Sequence, residues 1–406
     1  MRIAFLPYFK KINLAFIFGA LTLGSPSLQA GDWSVWLGPN GNGITSEKLP
    51  DLNKVSLSWK KEIGLGYSGI SIAGGKLYTL GHDGTSKETL FCIEPLDGKT
   101  IWKVTYPGEL IPKLHAGGPN ASPLIIGKKV YSISKDGQIF CLNTSDGSSI
   151  WKASLTKLLN TSVPNFGFAC SPQIIEGQLI FSQGKTVSLN PENGRVNWVS
   201  DTDGEASYST PKLLIVKDKS YLIAMSSNGA NIIDFNSGKT LAKFGMRAKY
   251  DMIAVTPVLL DAEGEFFAST NQTASRLKFD GKILTALWTN TNIKNSFTNS
   301  LFINGYLYGV DGPHKSKRTK LVCVDAKTGG TNWVQEKTGH GSLIAGPEKM
   351  IFLSEAGELV ALEINQKEFK ALARKKVLSG ICWTPPTLSH GALYVRNEDG
   401  SLLCLK

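Results

Sequence analysis

Along this chain the apolar residues fall in short runs, each closed by a turn that contains glycine, with no spacing of the kind a helix would show. One stretch, residues 121–155, reads ASPLIIGKKVYSISKDGQIFCLNTSDGSSIWKASL and holds a whole unit of the pattern. A small-Ser-Pro start leads into a first strand, and Gly127 turns it into a second that ends near Tyr131. Asp136-Gly137 turns the chain into a third strand, and Asp146-Gly147 into a fourth that bears Trp151. Enrichment in β-branched and aromatic residues between regular turn signals predicts strands.

The unit recurs to the C-terminus. Its second-strand position is filled by Tyr78, Tyr131, Phe181, Ile223, Phe267, Tyr308, Phe352 and Tyr394. Its fourth-strand position is filled by Trp59, Trp102, Trp151, Trp198, Ala242, Trp288, Trp333 and Ala371, at spacings of 43, 49, 47, 44, 46, 45 and 38 residues. Ala242, Ala371 and a shifted Trp288 read as degenerate units. Four strands at this period predict propeller blades, and counting gives eight. The chain stops just after the third strand of its last unit, while the strand around Trp59 precedes the first complete unit. Residues 55–59 are therefore expected to complete the last blade and remove its open edge. The fold class is all-β, an eight-bladed propeller over 55–406 preceded by an arm at 31–54.

The Asp/Asn-x-x-x-Gly-x-x-x-Trp spacing in LNTSDGSSIW, LNPENGRVNW and VDAKTGGTNW resembles the PQQ-like repeat, which quinoprotein dehydrogenases share with BamB-type outer-membrane-protein assembly factors. The opening DWSVWLGPNGNG is similar to the start of secreted BamB-like propellers, with Leu37 where an arginine is common. The resemblance spans Trp33 to Lys406 and implies a fold far more sharply than a function, because propellers host many activities. It implies two functions: a non-catalytic scaffold of the cell envelope with a protein partner, or a PQQ-dependent dehydrogenase holding its quinone and Ca²⁺ near the axis. The second carries an aspartate base and, in many members, a disulfide between adjacent cysteines.

Composition narrows the setting. Arg2, Lys10 and Lys11 precede the apolar run LAFIFGAL, and Leu28-Gln29-Ala30 offers a cleavage site before Gly31, so residues 1–30 read as a signal peptide. That run is too short to span a bilayer, and no cysteine follows it to carry a lipid. An exported periplasmic or extracellular monomer without lipid anchor or transmembrane segment is expected. The formal charge of +11 stays at +8 without those three basic residues, which suits an anionic partner, although no nucleic-acid motif is present. Cys92, Cys141, Cys323 and Cys404 occupy one repeat position in four units, and Cys170 and Cys382 share another. Equivalent positions lie apart on a ring, so these are expected to be buried thiols and not disulfides.

In such blades the second-to-third and fourth-to-first loops emerge on one face. The long irregular segments 106–120, 156–168, 244–254 and 312–320 fall there, and binding residues concentrate on loops of that kind. Near the channel mouth the candidate ligand-binding residues are Tyr67, His115, Asn120, Tyr208, Asn299, His340 and Trp383, the last an aromatic residue where other blades carry small ones. Arg247, Lys249, Lys315, Lys317, Arg318 and Lys320 form a candidate patch for an anionic partner, with Lys294, Arg374, Lys375 and Lys376 nearby and Asp311 among them. That patch and Trp383 motivate a third reading, an extracellular carbohydrate or polyanion binder. His82, His115, His314 and His340 all map to the loop face, but without metal-ligand spacing, so no metal is assigned. No catalytic residue is assigned either, and no cofactor, with PQQ and Ca²⁺ kept only for the dehydrogenase reading.

Overall fold

Each repeat unit folds as a four-stranded antiparallel meander in which spatial order follows chain order, and eight such sheets form the molecule. The computed structural model describes residues 31–406 apart from Leu114; the signal peptide read at 1–30 lies outside the described residues. In the second blade the strands are Leu124–Ile126, Lys129–Ile133, Gln138–Asn143 and Ser149–Ser154. The innermost strands are short and mostly buried, whereas outer strands such as Thr100–Pro107 alternate exposed and buried residues, as expected of a strand with one face on a neighbouring sheet. The last blade holds Thr387–Ser389, Ala392–Arg396 and Ser401–Leu405, and its outer strand is Leu57–Glu62, paired antiparallel with Ser401–Leu405. Ser56 and Lys406 exchange backbone hydrogen bonds of 2.6 and 3.0 Å at the seam. Chain closure thus uses the N-terminal strand that the offset of the two residue series required.

The repeat motif has a packing cause. Trp102 projects toward the next blade, where its indole N–H donates to Thr144 O at 3.0 Å and its ring lies on Gly147. A Cβ at Gly147 would come within 2.7 Å of that ring, and the residue also needs its φ of +75° to close the turn. The same arrangement joins Trp59 to Pro95 O and Gly98, Trp151 to Pro191 O and Gly194, and Trp288 to Ala326 O and Gly329. Trp333 donates to Asn365 O at 2.8 Å. Trp198 packs on Gly238, but its N–H has no acceptor. Where Ala242 replaces the tryptophan, the following turn glycine, Gly281, has nothing within 4 Å of an added Cβ. Each motif glycine therefore serves the tryptophan of the preceding blade.

Register corrects four sequence assignments. Trp59, Trp102, Trp151, Trp198, Ala242, Trp288 and Trp333 all sit opposite the equivalent third-strand residue, so Trp288 is not shifted. In the seventh blade that place belongs to Ala373, opposite Ala361, and not to Ala371. Every third-to-fourth pairing carries a bulge beside this row, so the bulge does not distinguish the blades. The segments from Arg276 to Trp288 and from Ala361 to Ala373 are two residues longer than that from Cys92 to Trp102, and this displaces a count made from spacing alone. In the third blade the row runs Trp198, Ser188, Ile180, and in the seventh Ala373, Ala361, Ile351. Phe181 and Phe352 stand one residue along and face the preceding blade, because a one-residue slip reverses a strand's faces. All six cysteines are buried free thiols.

The arm closes the channel. On the side of the first-to-second turns, residues 31–49 run around the axis and begin and end at the eighth blade. Ser389 Oγ donates to Gly31 O at 2.6 Å, and Trp33 exchanges two backbone hydrogen bonds with Ile72 of the first blade. Ile125 N donates to Ser34 O in the second blade and Lys212 Nζ to Gly41 O in the fourth. Ala345 of the seventh blade pairs with Gly43 and Thr45, and Glu47 accepts from Gly391 N of the eighth. Leu49, Leu52 and Val55 then bury themselves between the last two blades and lead the chain outward to Leu57.

Replacing Trp102 with Ala should cost about 3–5 kcal/mol in urea unfolding of the whole chain, since a large buried ring is lost. Trp198→Ala should cost about 1 kcal/mol less, because that indole forms no hydrogen bond that could be lost. Equal losses at both positions would contradict the role given to the indole N–H.

Candidate functional site

On the axis, open toward the long loops, lies a cavity of about 590 Å³. The arm supplies part of its lining through Trp36, whose indole N–H donates to Thr256 Oγ1 of the fifth blade at 3.2 Å. Aromatic rings make up one side. Phe297 packs on Trp383 at 4.7 Å between centroids, and His314 meets Trp383 edge-on at 5.1 Å. Trp383 stacks on Tyr67 at 5.1 Å, Tyr67 meets His115 at 5.6 Å, and Phe166 links His115 to Tyr208. These residues come from loops of blades one, two, three, four, six and eight, so no single stretch of sequence carries the wall.

The other side is basic and amidic. Lys249 and Tyr250 come from the fourth-to-fifth loop, Asn271 and Gln272 from the fifth blade, and Lys294 from the loop after it. Tyr250 is 70% exposed at left-handed φ, an uncommon conformation for a bulky residue, with Lys249 Nζ 4.8 Å from its ring centre. No carboxylate lines the cavity among the described residues. Carboxylates stand behind the aromatic side instead: Glu398 accepts from the Tyr67 hydroxyl, and Glu355 accepts from Trp383 Nε1 at 3.3 Å.

Burial controls the titration of the wall. The His115 imidazole is held down to about 3, first by desolvation and then by the Lys135 and Lys315 charges. Its Nδ1 accepts from Gly117 N at 2.9 Å, which places the ring proton on Nε2. His314 is lowered too, again mainly by burial, and burial together with the Glu398 hydrogen bond raises the Tyr67 hydroxyl. The aromatic side is thus uncharged at neutral pH.

Of the residues expected at the channel mouth, Tyr67, His115, Asn120, Tyr208 and Trp383 line the cavity. Two do not. His340 is wholly buried behind Phe297, 4.3 Å between ring centres, and neither ring nitrogen has a partner. Asn299 is turned aside by its amide, which donates to Thr256 O at 2.8 Å. The basic patch divides as well. Lys249 lines the cavity, whereas Lys315 and Lys317 border a separate shallow hollow beside Glu355. Lys320 and Lys294 share Asp311 at 3.7 and 3.6 Å, and Arg247 and Arg318 are exposed outside both hollows. Lys315 Nζ stands 5.6 Å over the Trp383 ring. Trp36, Phe166, Tyr250 and Phe297 were not selected from sequence. Phe297 had a signal, since like Trp383 it is an aromatic residue just ahead of a first strand.

Calcium takes several oxygen ligands, commonly carboxylates. Among the described residues the side-chain oxygens on the wall belong to the amides of Asn120, Asn271 and Gln272, to Ser296, and to the Tyr67, Tyr208 and Tyr250 hydroxyls, with two lysines among them, a set that does not fit a calcium-bound quinone. Among the described residues, no three His, Cys, Asp or Glu side chains are grouped so as to hold a metal.

The family profile described as "Outer membrane protein assembly factor BamB" matches residues 86–335. The chain belongs to this family. The outer membrane protein assembly factor BamB of Moranella endobia (strain PCIT) is 24% identical over 234 residues, covering 54% of this chain and 57% of that relative. The match thus spans little more than half the relative's length. Among solved structures, BamB from Moraxella catarrhalis superposes with a TM-score of 0.63 at 12% identity, over 87% of this chain and 99% of its own. Quinohemoprotein alcohol dehydrogenase from Comamonas testosteroni superposes with a TM-score of 0.70 at 12% identity, over 94% of this chain and 81% of its own. At such identities the likeness is one of fold.

The buried His340 generates a prediction. An imidazole that burial holds down to about 3 in the folded chain returns to its ordinary value of 6.5 once unfolded, so between those values the unfolded state binds more protons. The stability this neutral ring retains is complete above pH 6.5 and is lost as pH falls toward 3. Lys315, His314 and Glu355 surround the site, and His115 adds a loss of the same sign. His340→Phe should keep the packing on Phe297, raise stability at pH 7 by about 1 kcal/mol by removing an unpaired buried N–H, and flatten the acid limb of the melting profile. An unchanged acid limb would refute it.

Proposed function

We propose that this chain is a non-catalytic scaffold of the bacterial cell envelope, exported and acting as a monomer, which docks a protein partner on its loop face. Family membership supports the reading, together with the name of the relative, an outer membrane protein assembly factor. The observation that carries it is the asymmetry of the disc. One face has short regular turns and is crossed by the arm, while the other presents long loops around a recess with Tyr250 exposed at its rim. Rigid scaffolds with irregular loops on one face suit protein recognition.

A photo-crosslinking side chain at Lys317 on the loop face should capture a discrete envelope protein in living cells. One at Lys128, in a first-to-second turn on the other face, should not. Deletion of the gene should also lower the level of outer-membrane barrel proteins. Equal capture from both faces, or unaltered barrel levels, would count against the scaffold reading.

A further inference from the structure

We infer that the axial cavity is a binding site for a small, flat, singly anionic ligand, an aryl carboxylate that binds without a metal ion. Four observations lead there. The aromatic side, with Phe297, Trp383, Tyr67 and Phe166 in unbroken contact, offers ring edges and faces that favour a flat apolar body. Its histidines are neutral, so the rings that face the cavity carry no charge of their own. Lys249 and Lys294 line the same cavity with the amides of Asn271 and Gln272, and an anionic group there can accept charge-assisted hydrogen bonds. Asp311 is shared by Lys294 and Lys320, so it offsets only one of those two positive charges.

Orientation follows from where the cations stand. On the aromatic side Lys315, over Trp383, is matched by Glu355 and Glu398 behind the rings, whereas Lys249 and Lys294 are in the cavity lining itself, so the ligand's acid group points to those two lysines. Size and shape limit the ligand further. About 590 Å³ lies within the ordinary range of small-molecule pockets. The arm crosses the channel beneath and Trp36 reaches into the cavity lining, so a polymer cannot thread through, and a compact molecule entering from the loop face is the occupant the geometry accepts. This site is independent of the protein docking proposed above, and its failure would leave that reading intact.

The test uses the purified protein and three isosteres, 2-naphthoate, 2-naphthamide and 2-naphthylmethylamine, titrated by calorimetry with and without EDTA. The carboxylate should bind about tenfold more tightly than the amide, a difference of roughly 1.4 kcal/mol, and the amine most weakly. Lys249→Gln combined with Lys294→Gln should bring carboxylate and amide to within about twofold of each other while amide affinity holds. Trp36→Ala should weaken all three. Addition of EDTA should change nothing. The inference is overturned by equal binding of the three probes, by carboxylate binding that survives the double substitution, by a requirement for calcium, or by no saturation below millimolar concentration.

Discussion

Everything in this molecule rests on a single contact repeated around a ring, an outer-strand indole lying on the turn glycine of the next blade. It joins two requirements at one place. The turn needs a residue at positive φ, and the ring needs a surface without a Cβ, so Gly98, Gly147, Gly194, Gly238 and Gly329 are tied to tryptophans one blade back. In four of these five contacts the indole N–H also finds a carbonyl in the neighbouring blade, so burial and hydrogen bonding specify the same register. A sheet of four short strands is weak alone; packing between sheets makes each blade depend on its neighbour. A ring of such dependencies has no free end once Leu57–Glu62 completes the last blade.

Ring closure alone would leave an axial hole, and the arm makes that hole into a recess. Its path from the eighth blade around to the eighth again engages the innermost strands, the part of each blade with the fewest hydrogen bonds of its own. The same segment that shields those strands brings Trp36 to the cavity. Stability and site geometry are therefore coupled through residues 31–49, although no repeat-based argument would have included them.

The fold was legible because its determinants are periodic. Eight units, the offset between the two residue series and the completing strand all follow from positions that repeat. Errors arose where the period is broken within a unit. A third-to-fourth turn two residues longer than in most blades turned Ala373 into Ala371, and in the third and seventh blades an adjacent aromatic drew the assignment one residue onto the wrong face. The cavity was legible only in part for the opposite reason. Its rings come from loops of different length and are united only by the closure of the ring. Tyr67, His115, Asn120, Tyr208 and Trp383 could be placed because they sit near first strands whose position on the axis is known. His340 and Asn299 met the same criterion and failed it, because which way a residue turns there is decided by its neighbour: Phe297 covers one and Thr256 O holds the other.

That contrast bears on how one architecture serves unrelated tasks. The contacts that hold the disc lie on the outer strands and the far-side turns, where in five places a tryptophan and a glycine pack against each other. The cavity lies on the other side of the inner strands, in loops that contribute little to this network, so its chemistry can drift without loosening the ring. Here the drift has placed lysines and amides at the axis, with the carboxylates withdrawn behind the aromatic residues. A fold likeness to a dehydrogenase and to an assembly factor at the same low identity is what such a separation produces. The charge arrangement at the axis, unlike the shape of the disc, is a property of this chain's own loops, and it favours retention of an anion over coordination of a cation.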